Sequence, residues 1–306
     1  IFGLYLIKSS LIKKLVERGH VVKILARKHA QTTDLLDYFG LEHIVIGEHA
    51  GKKTSKKLFH AFSRVMQIAR YIEKESPDVC ISHQSPYIIY AAFLKGKKSV
   101  YIFDNDRAKL QNQLTFPLAT KIMCPIFTEA NKRVIRYPGF KEMVYLSSWP
   151  MKKINLGPKN KKNILVRTEI DSAAYHKGLP LINLVKMLAK KYRIIVSPRT
   201  EQQREEYAKI PGIKVVDEVV DGPSLINSVD LVISGGGTMN RESAIMGKPT
   251  ISTYSGELLG VDLNLIRNKF MDLNKEPSFN FVEKKINQRS KKMNYKKIGN
   301  LAIDKI

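Results

Sequence analysis

The chain is poor in cysteine, tryptophan and acidic side chains. Its 306 residues include two cysteines, one tryptophan and 28 Asp+Glu against 52 Lys+Arg. Cys80 (in DVCIS) and Cys124 (in IMCPI) lie in separate apolar runs, with no C-x-x-C and no Cys/His cluster. That excludes a disulfide framework and a zinc site of the usual spacing, and both read as buried thiols of a reducing, cytoplasmic setting. No run approaches ~18 consecutive apolar residues, which excludes a membrane-spanning helix. The opening IFGLYLIKSSLIKKLVERGHVV lacks a small-residue cleavage site and reads as an amphipathic helix, not a leader. No strand precedes it, so the first domain is expected to lack its first strand and the chain to begin as a fragment. G-x-x-x-x-G-K-[ST] and G-x-G-x-x-G are both absent, which removes the two commonest nucleotide fingerprints.

The missing acids leave a net charge of +24. It concentrates in GKKTSKK (51–57), MKKINLGPKNKKN (151–163) and KKINQRSKKMNYKK (284–297). Such patches suit anionic lipid headgroups, phosphorylated ligands or nucleic acid, or are a lysine-rich solvated surface. The tail has none of the arginine–aromatic interleaving that stacks on RNA. Nucleic acid therefore ranks last.

Hydrophobic residues make up 43% of the chain, enough for packed cores. Strand-like runs are 20–26, 42–47, 78–82, 99–103 and 121–125, then 163–167, 193–198, 213–217, 230–234 and 249–253. Helical patterns alternate with them, including 31–40 and 55–77. Alternation of this kind predicts parallel sheets covered on both faces. The expectation is an α/β chain of two Rossmann-like, doubly wound domains, 1–146 and 163–306, joined by a basic linker at 147–162. Ligands of such sheets sit at strand C-termini, here in an inter-domain cleft.

One stretch carries chemistry: VISGGGTMNRESAIMGKP, Val232 to Pro249. A buried strand enters Gly235, Gly236 and Gly237, and a helix leaves them. Glycine admits a group against bare backbone. The free N–H groups and dipole of a helix start favour an anion, usually phosphate. A tight turn that binds nothing is the structural alternative.

This stretch resembles the donor-binding motif of GT-B-fold sugar-nucleotide enzymes, among them the glycosyltransferase that makes lipid II and the UDP-N-acetylglucosamine 2-epimerases. The resemblance implies a diphosphate on Ser234, Gly235, Gly236, Gly237 and Thr238. It also implies a ribose held by Glu242, which stands five residues before Gly247 of G-x-P. A carboxylate complementing the dipole in the first helical turn is the alternative for Glu242. Over nearly the whole chain, ERGHVVKILARKHAQTTDLLDYFG, PDVCISHQSP, FDNDRAKLQNQLTFPLATKI, YPGFKEMVYL and the glycine stretch are similar to an archaeal GT-B-like family of unassigned function. SHQSP (82–86) and FDNDRAKLQNQLTFPLA also fall where the 2-epimerases carry catalytic turns. Those enzymes rely on carboxylates at positions where this chain has Gln84 or Ser85 and Ala108 or Lys109. Only Asp104 or Asp106 supplies one, which favours transfer over epimerisation.

His83, after a strand, suits a general base or a loop histidine bonded to backbone. Asp104 and Asp106 suit acceptor orientation or an Asx-turn; two carboxylates make no metal set. Arg167 and Glu169, in VRTE, offer a diphosphate clamp that stabilises the leaving group without a metal, or a salt bridge to each other. His176 or Lys177 could reach the phosphates. Arg199 and Arg241 are each readable as cleft-lining or surface residues. The segment 215–224 resembles the one that reads the base in GT-B enzymes. The combined expectation is a cytoplasmic glycosyltransferase using a UDP-linked sugar, without metal or cofactor, whose basic patches permit but do not require contact with an anionic membrane at its inner face; a 2-epimerase-like enzyme and a non-catalytic nucleotide-binding protein are the alternatives. The transferase's catalytic residues would be His83, Asp104 and Arg167.

Overall fold

The computed structural model describes residues 2–27, 33, 36–37, 40–47, 54–158, 160–168, 181–216 and 221–306, and only the backbone of 2–9 and 54–58. The expected Glu169 and His176, Lys177, most of the helix 31–40 and part of the 215–224 segment fall outside them. The chain divides into two compact units: residues up to Tyr145 together with Ile298–Ile306, and Leu146–Lys297. Each has its own parallel β architecture.

In the second unit the strands are β7 (Asn163–Arg167), β8 (Arg193–Ser197), β9 (Ile213–Val215), β10 (Leu231–Ser234), β11 (Thr250–Ser252) and β12 (Asp272–Leu273). They pair in the order β12-β11-β10-β7-β8-β9, every pair parallel. Counted from β7, this is the 3-2-1-4-5-6 order of a doubly wound nucleotide fold. Apolar side chains alternate between its faces. Ile164, Val166, Ile194, Val196, Leu231 and Ile233 pack with the helices Ile182–Ala189 and Phe279–Ile286. Leu165, Ile195 and Val232 pack on the opposite side with Leu225, Ile226 and Met239. Burial on both faces is why these strands read as unbroken β-branched runs.

The first unit is built differently. β3 (Val79–His83), β4 (Lys98–Ile102), β5 (Lys121–Pro125) and β6 (Ile135–Tyr137) form a parallel sheet in sequence order, while, among the described residues, β1 (Leu25–Ala26) and β2 (Ile44–Val45) pair only with each other. The sequence pattern allots seven residues to the first strand, and the structure forms two. A strand with a partner on one side alone has half the ladder to hold it. Both thiols are free and buried, as expected. Among the described residues no helix is long and apolar enough to cross a membrane.

Candidate functional site

In the second unit the strand order reverses between β7 and β10, and the crevice beyond a reversal is where open α/β sheets bind ligands. Arg167 ends β7 and lies in register with Ser234, which ends β10. Gly235 N–H donates to Arg167 C=O at 3.0 Å. Gly236 N–H donates to Ser234 Oγ at 2.9 Å, which fixes the turn. The helix Gly237–Ile245 then starts with Gly236 as its N-cap and no side-chain cap bond. The third glycine thus belongs to the helix, and its first N–H groups point out of the turn.

Side chains then converge. Arg167 donates to Ser197 Oγ at 2.5 Å. The guanidinium of Arg199 occupies the space a Cβ on Gly236 would need, and Arg241 Nη2 would stand 2.9 Å from a Cβ on Gly237. Neither glycine has a positive φ, so what they provide is room for the two guanidinium ends. Arg199 is held by its own N–H on Gln203 Oε1 at 2.9 Å, and the same oxygen accepts from Thr168 Oγ1. Burial pulls the Arg167 guanidinium down to about 10; Arg199 adds to the fall and Glu242 opposes it. Two cations beside a helix N-terminus thus share one corner with one buried carboxylate, a field that favours an anion. Arg241 is accounted for otherwise: its Nε bonds Asp262 Oδ1 at 2.7 Å and its Nη2 bonds Oδ2 at 3.3 Å, a buried bidentate pair. It is neither a surface residue nor free for a ligand.

Glu242 is the sixth residue of its helix and 3% exposed, and the first turn holds no acid. The dipole explanation for it therefore fails, because that effect fades beyond the first turn. Its Oε2 lies 3.9 Å from where Gly222 would carry a Cβ. Gly222 opens the helix Gly222–Asn227, whose N-cap Asp221 accepts from Ser224 N–H and from Trp149 Nε1.

The first unit has its own polar cluster at the C-terminal ends of β3 and β4. His83 ends β3, and Asp104 lies two residues past β4. His83 Nε2 is 3.5 Å from Asp104 Oδ1, and Lys141 Nζ is 2.5 Å from Asp104 Oδ2. Lys141 also lies 4.0 Å from Glu142 Oε1. All four are buried. Tyr137 is pushed far above its ordinary range by burial and by the charges of Asp104 and Glu142. Asp106 faces elsewhere, accepting from Glu129 N–H at 3.1 Å with Arg107 3.8 Å away. Gln84 organises the loops: its φ of +54° is a left-handed backbone, and its Oε1 accepts from the N–H groups of both Asp104 and Asn105. A non-glycine residue there costs about 1–2 kcal/mol.

The structure therefore gathers Arg167, Ser234–Thr238 and Glu242 in one unit, and His83 with Asp104 in the other. Sequence reasoning missed Lys141 and Glu142. The available signal was Gly139 in YPGFKE: at φ +76°, a Cβ there would meet Ile298 Cγ2 at 2.5 Å and Met143 Sδ at 2.7 Å. That tight turn delivers Lys141 to Asp104. Among the described residues no group of three or more His, Cys, Asp or Glu could hold a metal ion.

Comparison with known proteins agrees with this architecture. The profile of the family described as "Protein of unknown function (DUF354)" matches residues 5–305, and the chain belongs to that family. An uncharacterized protein of Methanocaldococcus jannaschii is 32% identical over 303 residues, covering 91% of this chain and 87% of its own. The crystal structure of UDP-GlcNAc 2-epimerase from Neisseria meningitidis bound to UDP-GlcNAc superposes with a TM-score of 0.72 at 14% identity, over 97% of this chain and 94% of that one. The glycosyltransferase VinC in complex with dTDP gives 0.62 at 14% identity, over 99% and 92%. At such identities the likeness establishes the fold, a GT-B-type pair of Rossmann-like units.

Proposed function

On the premise of that membership, we propose that this protein binds a nucleoside-diphosphate sugar, UDP-linked, and transfers the sugar to an acceptor hydroxyl. The observation that carries the reading is the convergence of Arg167, Arg199, the capless helix start at Gly236–Thr238 and buried Glu242 at the strand-order reversal of the second unit. The diphosphate would take the N–H groups of Gly237 and Thr238, and Glu242 would accept from the ribose hydroxyls. Glu169 and His176 are assigned to the same donor site on sequence alone. Both similar structures named above hold nucleotide ligands, which supports this assignment.

In the reaction, His83 accepts the acceptor hydroxyl proton while the oxygen attacks the anomeric carbon. Asp104 Oδ1 lies 3.5 Å from His83 Nε2 and would orient the imidazole. The anomeric C–O bond breaks toward the diphosphate. Arg167 and the helix N–H groups stabilise the charge gained by the leaving nucleotide, with no metal or cofactor required by this set. The reading assigns the nucleotide to the unit Leu146–Lys297 and the acceptor to the unit of residues up to Tyr145 with Ile298–Ile306, in a cytoplasmic protein.

One observation favours a second reading, epimerisation at the sugar's C2. The first unit buries Asp104, Asp106 and Glu142, a richer carboxylate supply than the sequence pattern suggests. A common experiment separates the readings. Calorimetric titration with UDP, GDP, ADP and UDP-N-acetylglucosamine is expected to give saturable binding of UDP. Glu242→Ala should weaken it by about 1.5–3 kcal/mol, the cost of losing charged hydrogen bonds. Turnover then reads out the chemistry: free UDP for transfer or its hydrolytic side reaction, a new sugar nucleotide for epimerisation, neither for a binding protein. Unchanged affinity in a folded Glu242→Ala protein would sink the ribose assignment.

A further inference from the structure

Residues 149–156 lie in the stretch that the sequence pattern reads as a linker, and the structure stitches them to one helix of the second unit. Lys152 N–H donates to Ser224 Oγ at 2.9 Å, and Ile154 N–H donates to Ser228 Oγ at 3.0 Å. Two residues of extended chain rise about 6.6 Å and four residues of helix about 6 Å, so alternate N–H groups reach successive turns. Ile154 and Leu156 pack in one apolar cluster with Leu225 and Ile226 of the helix Gly222–Asn227.

Trp149 leads this stretch. It is the chain's one tryptophan and is 9% exposed. A buried indole N–H needs an acceptor. Trp149 Nε1 donates to Asp221 Oδ1 at 2.8 Å. That carboxylate also accepts from Ser224 N–H at 3.0 Å and from Ser224 Oγ at 2.6 Å. Capping the helix requires only the bond from Ser224 N–H. The indole therefore adds a restraint on the residue that precedes Gly222. Gly222 in turn faces Glu242, since a Cβ there would stand 3.9 Å from Glu242 Oε2.

We propose that Trp149 is a positioning residue for the nucleoside end of the nucleotide site: through Asp221 it fixes Gly222 beside the Glu242 carboxylate, and so sets the room left there for a ribose. The inference rests on the nucleotide reading and deepens it. The diphosphate end depends on other parts of the unit, Arg167 at the end of β7 and the glycine turn after β10. Loss of the indole bond is therefore selective for the nucleoside.

The test is calorimetric titration of the full chain with UDP and with inorganic pyrophosphate, a probe of the diphosphate end alone, alongside denaturant unfolding. Trp149→Phe keeps a ring and removes the N–H. It should bind UDP about fivefold more weakly, the effect of one lost hydrogen bond, with pyrophosphate affinity within about twofold of wild type. Gly222→Ala leaves Trp149 in place and adds a methyl beside Glu242, at a position without a positive φ. It should show the same selectivity with an unchanged unfolding midpoint. UDP affinity equal to wild type in either folded variant would overturn the proposal and leave the nucleotide reading standing. Parallel loss of UDP and pyrophosphate in Trp149→Phe would overturn it as well, reducing the indole to a structural bond. Absence of UDP binding by the wild-type chain would sink the nucleotide reading and this proposal with it.

Discussion

The two units share an α/β plan and use it in opposite ways. The second closes six strands into one sheet covered on both faces, and of its described residues only Met187 and Leu273 are large apolar side chains that stand exposed. The first divides its strands into sheets of four and two, and exposes Ile44, Val45, Phe59, Phe62, Val79, Leu110 and Leu114 among others. Their polar sites differ in sign as well. The second unit gathers Arg167, Arg199 and helix N–H groups around bare glycine, a corner whose field is positive. The first gathers His83, Asp104, Lys141 and Glu142, which can hold and move a proton.

The largest effect that would sharpen this contrast lies in the first unit. Asp104→Asn removes the near partner of buried Lys141, and should destabilise the protein by about 3 kcal/mol in denaturant unfolding. UDP affinity should be untouched, and a parallel loss of UDP binding would break the separation between the two sites. Gly139→Ala follows, at about 2 kcal/mol, because the added Cβ meets Ile298 and Met143 at a left-handed φ. In the second unit, Gly236→Ala should leave stability nearly intact, since the obstructing atom is the far end of Arg199. It should weaken UDP about tenfold, near 1.4 kcal/mol, by displacing that guanidinium. Equal affinity would remove Arg199 from the site.

Smaller effects come from titration. Arg167 is charged below about 10, so its contribution to UDP binding should hold at neutral pH and decline as pH rises through about 10. Its folded value lies below the ordinary arginine one. The unfolded chain therefore keeps the proton longer, and this group's stability contribution rises with pH between those values. Calorimetry across that window checks the sign. Burial lifts Cys124 to about 11 and raises Cys80, so neither should react with iodoacetamide in the native protein at neutral pH. Both lie in the first unit, so labelling against denaturant reports the opening of that unit alone.

Much of the fold was legible beforehand. β5 and β7 were read to the residue, and β8 and β10 to within one; the runs of β7, β8 and β10 are apolar and buried on both faces, which makes them stand out in the sequence. β6 and β12 escaped, being edge strands of three and two residues with little pattern to find. At the site, the glycine turn was readable because three glycines between an apolar run and a helical pattern mark bare backbone at a strand-to-helix turn. Arg199 and Arg241 were indistinguishable in sequence, yet one guanidinium closes over Gly236 while the other is consumed by Asp262. Lys141 gave no signal of its own.

The sequence by itself determined the alternation of strands and helices, the glycine turn and the excess of positive charge. Periodicity, steric permission and net charge are properties of the chain read one neighbourhood at a time. The tertiary structure decided that β7 lies beside β10, so that Arg167 meets Ser234. It also decided that Asp104 is shared between His83 and Lys141, and that Phe62 stays in solvent while Val65 does not. Those outcomes depend on which distant segments come to lie together, and such pairings are set by packing the whole core at once.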